Sequence, residues 1–177
     1  MTPEKEKLNI AINTGDLDAV KEIYKEFPSI IKNNTKKGYT PLIHAIIQKQ
    51  NKIIKYLIEI GIDVNELDDE NDNALIFASH NGNTTVIKML LKAGADIDIR
   101  GYEKRTALFN AVAQNRGPAV KMLLRAGADV TIRNEYDTTP REYAVSFKKK
   151  RALKELDDLT NKNYKKLGKY ADLLGDI

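Results

Sequence analysis

The stretch Asn73-Ala74-Leu75-Ile76-Phe77-Ala78-Ser79-His80-Asn81-Gly82-Asn83, followed by Val86-Ile87-Lys88-Met89-Leu90-Leu91-Lys92-Ala93-Gly94-Ala95-Asp96, carries the fold of this chain. It reads as a short helix, a tight turn, a second helix and a glycine stop. Moved forward by 33 residues it recurs as Thr106-Ala107-Leu108-Phe109-Asn110-Ala111 and then Val120 to Asp129. Moved back by 33 it is Thr40-Pro41-Leu42-Ile43-His44-Ala45 and then Ile54 to Asp63. A fixed period of this length predicts a stacked array, because one such unit cannot bury its own apolar face.

Two further units flank these three. In the first, Leu8, Ala11 and Ile12 fall at the first-helix positions, Thr14-Gly15-Asp16 at the turn, and Val20, Ile23 and Tyr24 on the second helix. Pro28 should stop that helix. In the fifth, Thr139-Pro140-Arg141-Glu142-Tyr143-Ala144 opens the first helix, and Leu153 and Leu156 lie on the second. Asp157 stands there in place of Leu91 and Leu124, a polar exchange suited to a terminal face. Thr40, Asn73, Thr106 and Thr139 are expected N-caps of first helices, and Asp16 and Asn83 of second helices. Pro41 and Pro140 fit the first helical position. Gly61, Gly94 and Gly127 fit left-handed C-terminal caps. Gly15 and Gly82 suit the turn between helices, where other units carry Lys49 and Asn115.

The predicted core follows from spacing. Leu42, Leu75 and Leu108 share one position, and Ala45, Ala78 and Ala111 another, where a small side chain lets helices approach. Ile54, Ile87 and Val120, with Leu57, Leu90 and Leu123, line the second helices. Polar connectors Asn65 to Asp72, Asp98 to Arg105 and Thr131 to Thr138 have the length of protruding, hairpin-like fingers. Beyond the fifth unit, Leu167, Tyr170, Ala171 and Leu174 predict an amphipathic helix over about 163–174, lying on the last repeat. The expected division is a repeat domain over 1–157 and a capping helix within 158–177.

Composition narrows the function. The absence of cysteine excludes disulfides and thiolate metal sites. No apolar run is long enough to span a bilayer, and Met1 to Lys7 lacks the apolar core of a signal peptide, so a cytoplasmic location is expected. Residues 1–140 hold 19 Lys+Arg and 19 Asp+Glu, whereas residues 141–177 hold 10 and 6. The net charge of +4 therefore belongs to one end and is not a uniform nucleic-acid-binding surface. Catalytic and metal signals are weak. His44 and His80 sit at different places in their units; a packed His44 and an exposed His80 are expected. Ser29, Ser79 and Ser146 lack a nucleophile-elbow context. The acidic run Asn65 to Asn73 lacks the glycine and terminal glutamate of a calcium loop. Lys148-Lys149-Lys150-Arg151 reads as a solvated turn within the terminal repeat.

The pattern resembles the ankyrin repeat, a 33-residue helix–turn–helix unit with T-P-L-H-x-A and a later L-L-x-x-G-A. The resemblance runs from about Leu8 to Leu156. It implies an all-α solenoid of stacked helix-turn-helix units with short β-hairpin-like fingers. It departs at the signature histidine, which is Ile43, Ile76, Phe109 and Glu142 here. The inter-repeat hydrogen bonds of that histidine are expected to be absent or replaced.

The resemblance also implies a noncatalytic scaffold that binds another folded protein on a concave face built from fingers and inner-helix ends. The candidate partner-binding residues on the fingers are Lys36, Lys37 and Tyr39; Asp69, Glu70 and Asp72; Tyr102, Glu103 and Arg105; and Glu135, Tyr136 and Thr138. Those at the ends of the first helices are Gln48, His80, Asn81, Gln114 and Phe147. Exposed tyrosine and arginine are frequent energetic anchors of interfaces; the competing reading packs some of these tyrosines on neighbouring fingers. No cofactor, metal, small-molecule substrate or nucleic acid is expected, and the protein is expected to be monomeric alone. A narrower expectation is an inhibitor or immunity protein of an enzyme. The alternative is a binder of nucleic acid or an anionic surface through the basic C-terminal segment.

Overall fold

The first helices begin at side-chain oxygens. The Thr40, Thr106 and Thr139 hydroxyls accept from the backbone N–H groups of Ile43, Phe109 and Glu142 at 3.2, 3.3 and 3.2 Å. At Asn73, the equivalent place, the side chain is buried. Thr139 forms a full capping box, because Glu142 reaches back to the Thr139 N–H at 2.8 Å. That hydrogen bond, with Arg133 beside it at 3.1 Å, holds the Glu142 carboxyl below the usual carboxylate range. Asp16 and Asn83 cap second helices as expected.

These devices set out a series of short helices in a computed structural model that describes residues 2–32 and 38–161. Helices α1 (Pro3–Thr14), α2 (Leu17–Glu26), α3 (Pro41–Ile47) and α4 (Asn51–Glu59) come first, with a 3-10 turn at Pro28–Lys32. Helices α5 (Ala74–Asn81), α6 (Thr84–Lys92), α7 (Ala107–Ala113), α8 (Gly117–Arg125), α9 (Pro140–Ser146) and α10 (Lys150–Asn161) follow. No strand occurs among the described residues. The chain divides into two compact units, Met1–Ala74 and Leu75–Ile177. Lys36, Lys37 and the helix expected over about 163–174 lie outside the described residues. Helix α10 continues past Asp157 to Asn161.

In the first unit, α1 packs on α2 and α3, and α4 packs on α2 and α3. Leu8, Ile12, Val20, Leu42, Ile43, Ile54 and Leu57 fill the space between them. His44 is buried, and its Nε2 lies 2.9 Å from Asn13 Oδ1 on the neighbouring repeat. In the second unit, α7 packs on α8 and α9, and α8 packs on α6 and α10. Leu75, Ala78, Ile87, Leu90, Leu108, Ala111, Val120 and Leu123 are all fully buried there. Asp157, the polar exchange of the terminal repeat, pairs with Arg141 at 3.0 Å.

The turn between the two helices of a repeat does two jobs. Gly15 and Gly82 are left-handed, with φ of +76° and +72°. They are also sockets: a Cβ on Gly15 would stand 2.5 Å from Gln50 Oε1, and one on Gly82 2.8 Å from Arg116 Cδ. In each case a long side chain of the next repeat lies over the bare glycine. Arg116 then donates from Nε to the His80 carbonyl at 3.2 Å. Asn115 reverses the arrangement, as its own Oδ1 accepts from Arg151 and Ala152 N–H at 3.0 and 3.1 Å and caps α10. Lys49 and Asn115 take the same left-handed turn, with φ of 57° and 55°.

After each full second helix the chain repeats a second device. The Asp63, Asp96 and Asp129 carboxylates accept from the N–H two residues on, at 2.9, 3.1 and 2.7 Å. These turns launch the fingers. Backbone bonds close the finger tips, Asp68 N–H to Asp72 O, Gly101 N–H to Arg105 O and Asn134 N–H to Thr138 O, at 2.9 to 3.0 Å, with a tighter return bond inside each from Asn71, Lys104 and Asp137 N–H to the Asp68, Gly101 and Asn134 carbonyls. The fingers are thus tight turns without a paired strand ladder among the described residues.

Two stability outcomes follow. Leu90→Ala is expected to cost about 2–5 kcal/mol in urea denaturation, the range for truncating a fully buried leucine; an unchanged midpoint would contradict the burial. Lys49→Gly should stabilise by about 0.5–1 kcal/mol, since the left-handed conformation is disfavoured for a residue with Cβ and the gain is partly offset by glycine's unfolded-state entropy. A lower melting temperature for Lys49→Gly would show that the lysine stem is packing.

Candidate functional site

A glycine sets the turn of the third finger apart from its neighbours. Asp68 and Asn134 each turn their tip with a buried side chain whose Oδ1 accepts two backbone N–H groups at 2.9 to 3.1 Å. Gly101 occupies that position in the third finger and has no side chain to do so. The tip is instead a 3-10 turn at Tyr102–Lys104; Lys104 is left-handed like its equivalents Asn71 and Asp137, with φ of 53°, 65° and 54°, and Glu103 before it is left-handed as well, with φ of 52°. Two consecutive non-glycine residues in this region store conformational strain. The strained backbone turns the Glu103 carbonyl toward the fourth finger, where it accepts from Glu135 N–H at 2.9 Å.

From this join a connected polar and aromatic face runs through the second unit. The Tyr136 hydroxyl lies 3.5 Å from Glu103 Oε1. The other oxygen of Glu103 meets the Arg105 guanidinium at 2.5 Å. Arg105 does not project as the sequence suggests. Its side chain keeps only 24% of its accessible surface, and its guanidinium lies 5.3 Å from the Phe109 ring centroid and 5.8 Å from that of Tyr143. Phe109 and Tyr143 meet at 5.2 Å, and Tyr143 stacks on Phe147 at 4.3 Å. Phe109 stands where the resembling family has its histidine. An aromatic ladder with a guanidinium laid on it thus joins the repeats where that histidine would hydrogen-bond.

The expected partner-binding residues separate by surroundings. In the second unit Tyr102, Tyr136 and Phe147 are exposed, at 57%, 65% and 61%. His80, Asn81, Gln114 and Glu135 are also exposed. Thr138 is half-buried, its hydroxyl donating to the Tyr136 carbonyl at 3.1 Å. In the first unit Gln48, Asp69 and Glu70 are exposed, and Tyr39 and Asp72 half-buried. There Asp69 N–H donates to the Gly38 carbonyl at 3.3 Å, a second finger-to-finger backbone bond. Partial burial and then the Arg116 charge push the His80 imidazole below its ordinary pKa. Tyr143, absent from the expected set, is half-buried and supports Phe147. Its signal was the aromatic pair at i and i+4 on a helix. Among the described residues no three or more His, Asp or Glu side chains are grouped to hold a metal ion, and no helix is long and apolar enough to cross a membrane.

Structural and exposed members of this face should respond differently to truncation. Arg105→Ala is expected to lower stability by about 1–3 kcal/mol, because it removes the guanidinium from two rings and leaves the mostly buried Glu103 carboxylate unpaired. Tyr102→Ala and Tyr136→Ala should each stay within about ±0.5 kcal/mol. Thermal unfolding of the three single variants checks the contrast, and equal losses in all three would contradict it.

In comparison with known families the chain matches ankyrin repeats (3 copies), over residues 8–101 and again over 60–134. The matched residues take in the helix pairs from α1/α2 to α7/α8 and stop short of α9 and α10, which repeat the same cap, turn and core positions. With the period, the caps and the helical pairs in agreement, the chain belongs to the ankyrin repeat family.

Proposed function

We propose that this protein is a noncatalytic scaffold that recognises another folded protein through its finger tips and inner-helix ends. Ankyrin repeats generally mediate protein–protein interaction. The observation that carries the reading to particular residues is the exposure of Tyr102, Tyr136 and Phe147 on one connected face of the second unit. None of the three is demanded by the fold, since the equivalent positions elsewhere hold Asp69 and Glu135 for Tyr102, Glu70 and Glu103 for Tyr136, and Gln48, Asn81 and Gln114 for Phe147. Large aromatic side chains presented on a rigid support lose little freedom on binding and concentrate interface energy. The acidic tip Asp69–Glu70 of the first unit would act at the rim, on association rate and salt dependence more than on lifetime. A narrower form of the same reading is occlusion of a partner enzyme's active site.

The test is capture by the purified full-length protein, with chemical crosslinking to locate the contact, repeated with Tyr102→Ala/Tyr136→Ala/Phe147→Ala. A partner crosslinked to the third and fourth fingers, and lost by at least about a hundredfold in affinity in the triple variant at unchanged melting temperature, is the expected result. Lys121→Glu on the exposed side of α8 serves as a control that should bind normally. Retained affinity in the triple variant would move the site elsewhere. Capture of nucleic acid with a steep loss in salt would favour the basic segment from Lys148 onward instead.

A further inference from the structure

In the second unit the second helices of the repeats carry a lysine every 33 residues: Lys88 on α6, Lys121 on α8 and Lys154 on α10. Their counterpart in the first unit is Lys55 on α4, and there the charge is answered within the helix, by Glu59 at 3.6 Å. Lys92 on α6 and Arg125 on α8 stand in the place of Glu59. The acid four residues on has thus become a second cation in both helices. Neither α6 nor α8 holds a carboxylate. Among the described residues, Lys88, Lys92, Lys121, Arg125 and Lys154 enter no ion pair. On α10, Arg141 pairs with Asp157 at 3.0 Å, Glu155 is half-buried, and Asp158 closes the row that Lys92 and Arg125 begin. Lys92 and Arg125 lie in last turns, where a cation complements the helix dipole. Lys88 and Lys121 lie mid-helix, where the dipole gives no reason for one.

We propose that this patch of cations is a docking surface for an anionic phospholipid bilayer. Helix α8 packs on both α6 and α10, so the cations spread in two directions. Successive ones lie ~6 Å apart along a helix and about 8–10 Å apart from one helix to the next. Like charges at that spacing stand within about one Debye length in physiological salt, and an anionic surface relieves their repulsion. Among the described residues no exposed aromatic or large aliphatic side chain stands on α6, α8 or α10. That removes the anchors of a folded-protein hot spot and the rings on which single-stranded bases stack. It also keeps the contact at headgroup level, without apolar insertion. A duplex presents its phosphates along a curved ridge, whereas a bilayer is a plane that meets a two-dimensional patch at once. Apart from Arg125 the cations are lysines, hydrated point charges on flexible stems that can follow laterally mobile headgroups. Small clusters of lysine and arginine are what the negative potential of anionic lipid attracts. This surface lies on other elements than the finger tips and does not depend on the reading of them.

The experiment is flotation of the full-length protein with vesicles of phosphatidylcholine, alone or mixed with phosphatidylserine. Binding is expected to the mixed vesicles only, and to vanish in high salt. Lys88→Gln/Lys121→Gln should lower partitioning about 25-fold, roughly fivefold for each cation removed. Lys92→Glu/Arg125→Glu restores the α4 pattern in both helices and should abolish binding at an intact melting temperature; if it fails to fold, the Lys88→Gln/Lys121→Gln variant decides. Tyr102→Ala/Tyr136→Ala/Phe147→Ala should bind vesicles as the parent does. Lys149→Gln/Lys150→Gln should lose less than Lys88→Gln/Lys121→Gln. If it loses as much or more, the basic run at Lys148–Arg151 carries the contact and the proposal falls. If a short DNA duplex displaces the vesicles and its own binding needs Lys88 and Lys121, the patch takes nucleic acid and the bilayer is overturned as its occupant. Absence of binding to the mixed vesicles overturns the proposal outright, and the capture experiment on the finger tips stands apart from all of these outcomes.

Discussion

A helix of seven residues cannot hold itself together in water, and α3, α7 and α9 are each that short. They exist because neighbouring helices bury one side of them and because a threonine hydroxyl satisfies an N–H that would otherwise have no partner at the start of each. Everything else in the chain serves this dependence. The alanines at 45, 78 and 111 bring helices close. Left-handed turns send each chain back antiparallel. The socket glycines admit a long side chain from the next repeat. Stability in such a protein is a sum over repeats and their joints, so loss of one joint weakens its neighbours before it reaches the rest.

Joints are also where the sequence departs from the family's usual chemistry. Ile43, Ile76 and Phe109 put fully apolar side chains where a histidine would hydrogen-bond, and Glu142 puts a capping-box carboxylate there. Polar links reappear at other positions: His44 to Asn13, Gln50 to the Asn13 carbonyl, Asn115 to the start of α10, and Arg100 to the Arg133 carbonyl. An orphaned hydroxyl remains at Ser79, buried without a hydrogen-bond partner at a place where other repeats carry Ile46 or Val112. The hydrogen-bonding of the repeat joints has therefore been redistributed around a more apolar centre.

The repeat period, the caps, the glycine stops and the buried leucines were legible in sequence because each is a local signal, decided within one turn of chain. The candidate face was legible only in part. Tyr102, Tyr136 and Phe147 project as their polar surroundings suggest. Arg105 does not, because its position depends on Phe109 and Tyr143, the second of them a full repeat further along the chain. Its retreat also depends on Gly101, whose missing side chain changes the shape of the tip. Pattern reading assigns a residue to a finger; it cannot say whether the side chain turns outward, since that is settled by a ring on another repeat.

The left-handed turn after α5 has a chemical consequence of a different kind. Asn81-Gly82 is the dipeptide most prone to spontaneous deamidation, in which the glycine nitrogen attacks the asparagine side-chain carbonyl and closes a succinimide ring. Here Gly82 N–H is held by the Ser79 carbonyl at 3.1 Å, and the Arg116 side chain lies over the glycine. The nitrogen is thereby kept from its target while the turn is closed. Ageing at Asn81 then proceeds only through local opening of that turn, which makes the slow appearance of isoaspartate a chemical clock for how often this joint comes apart.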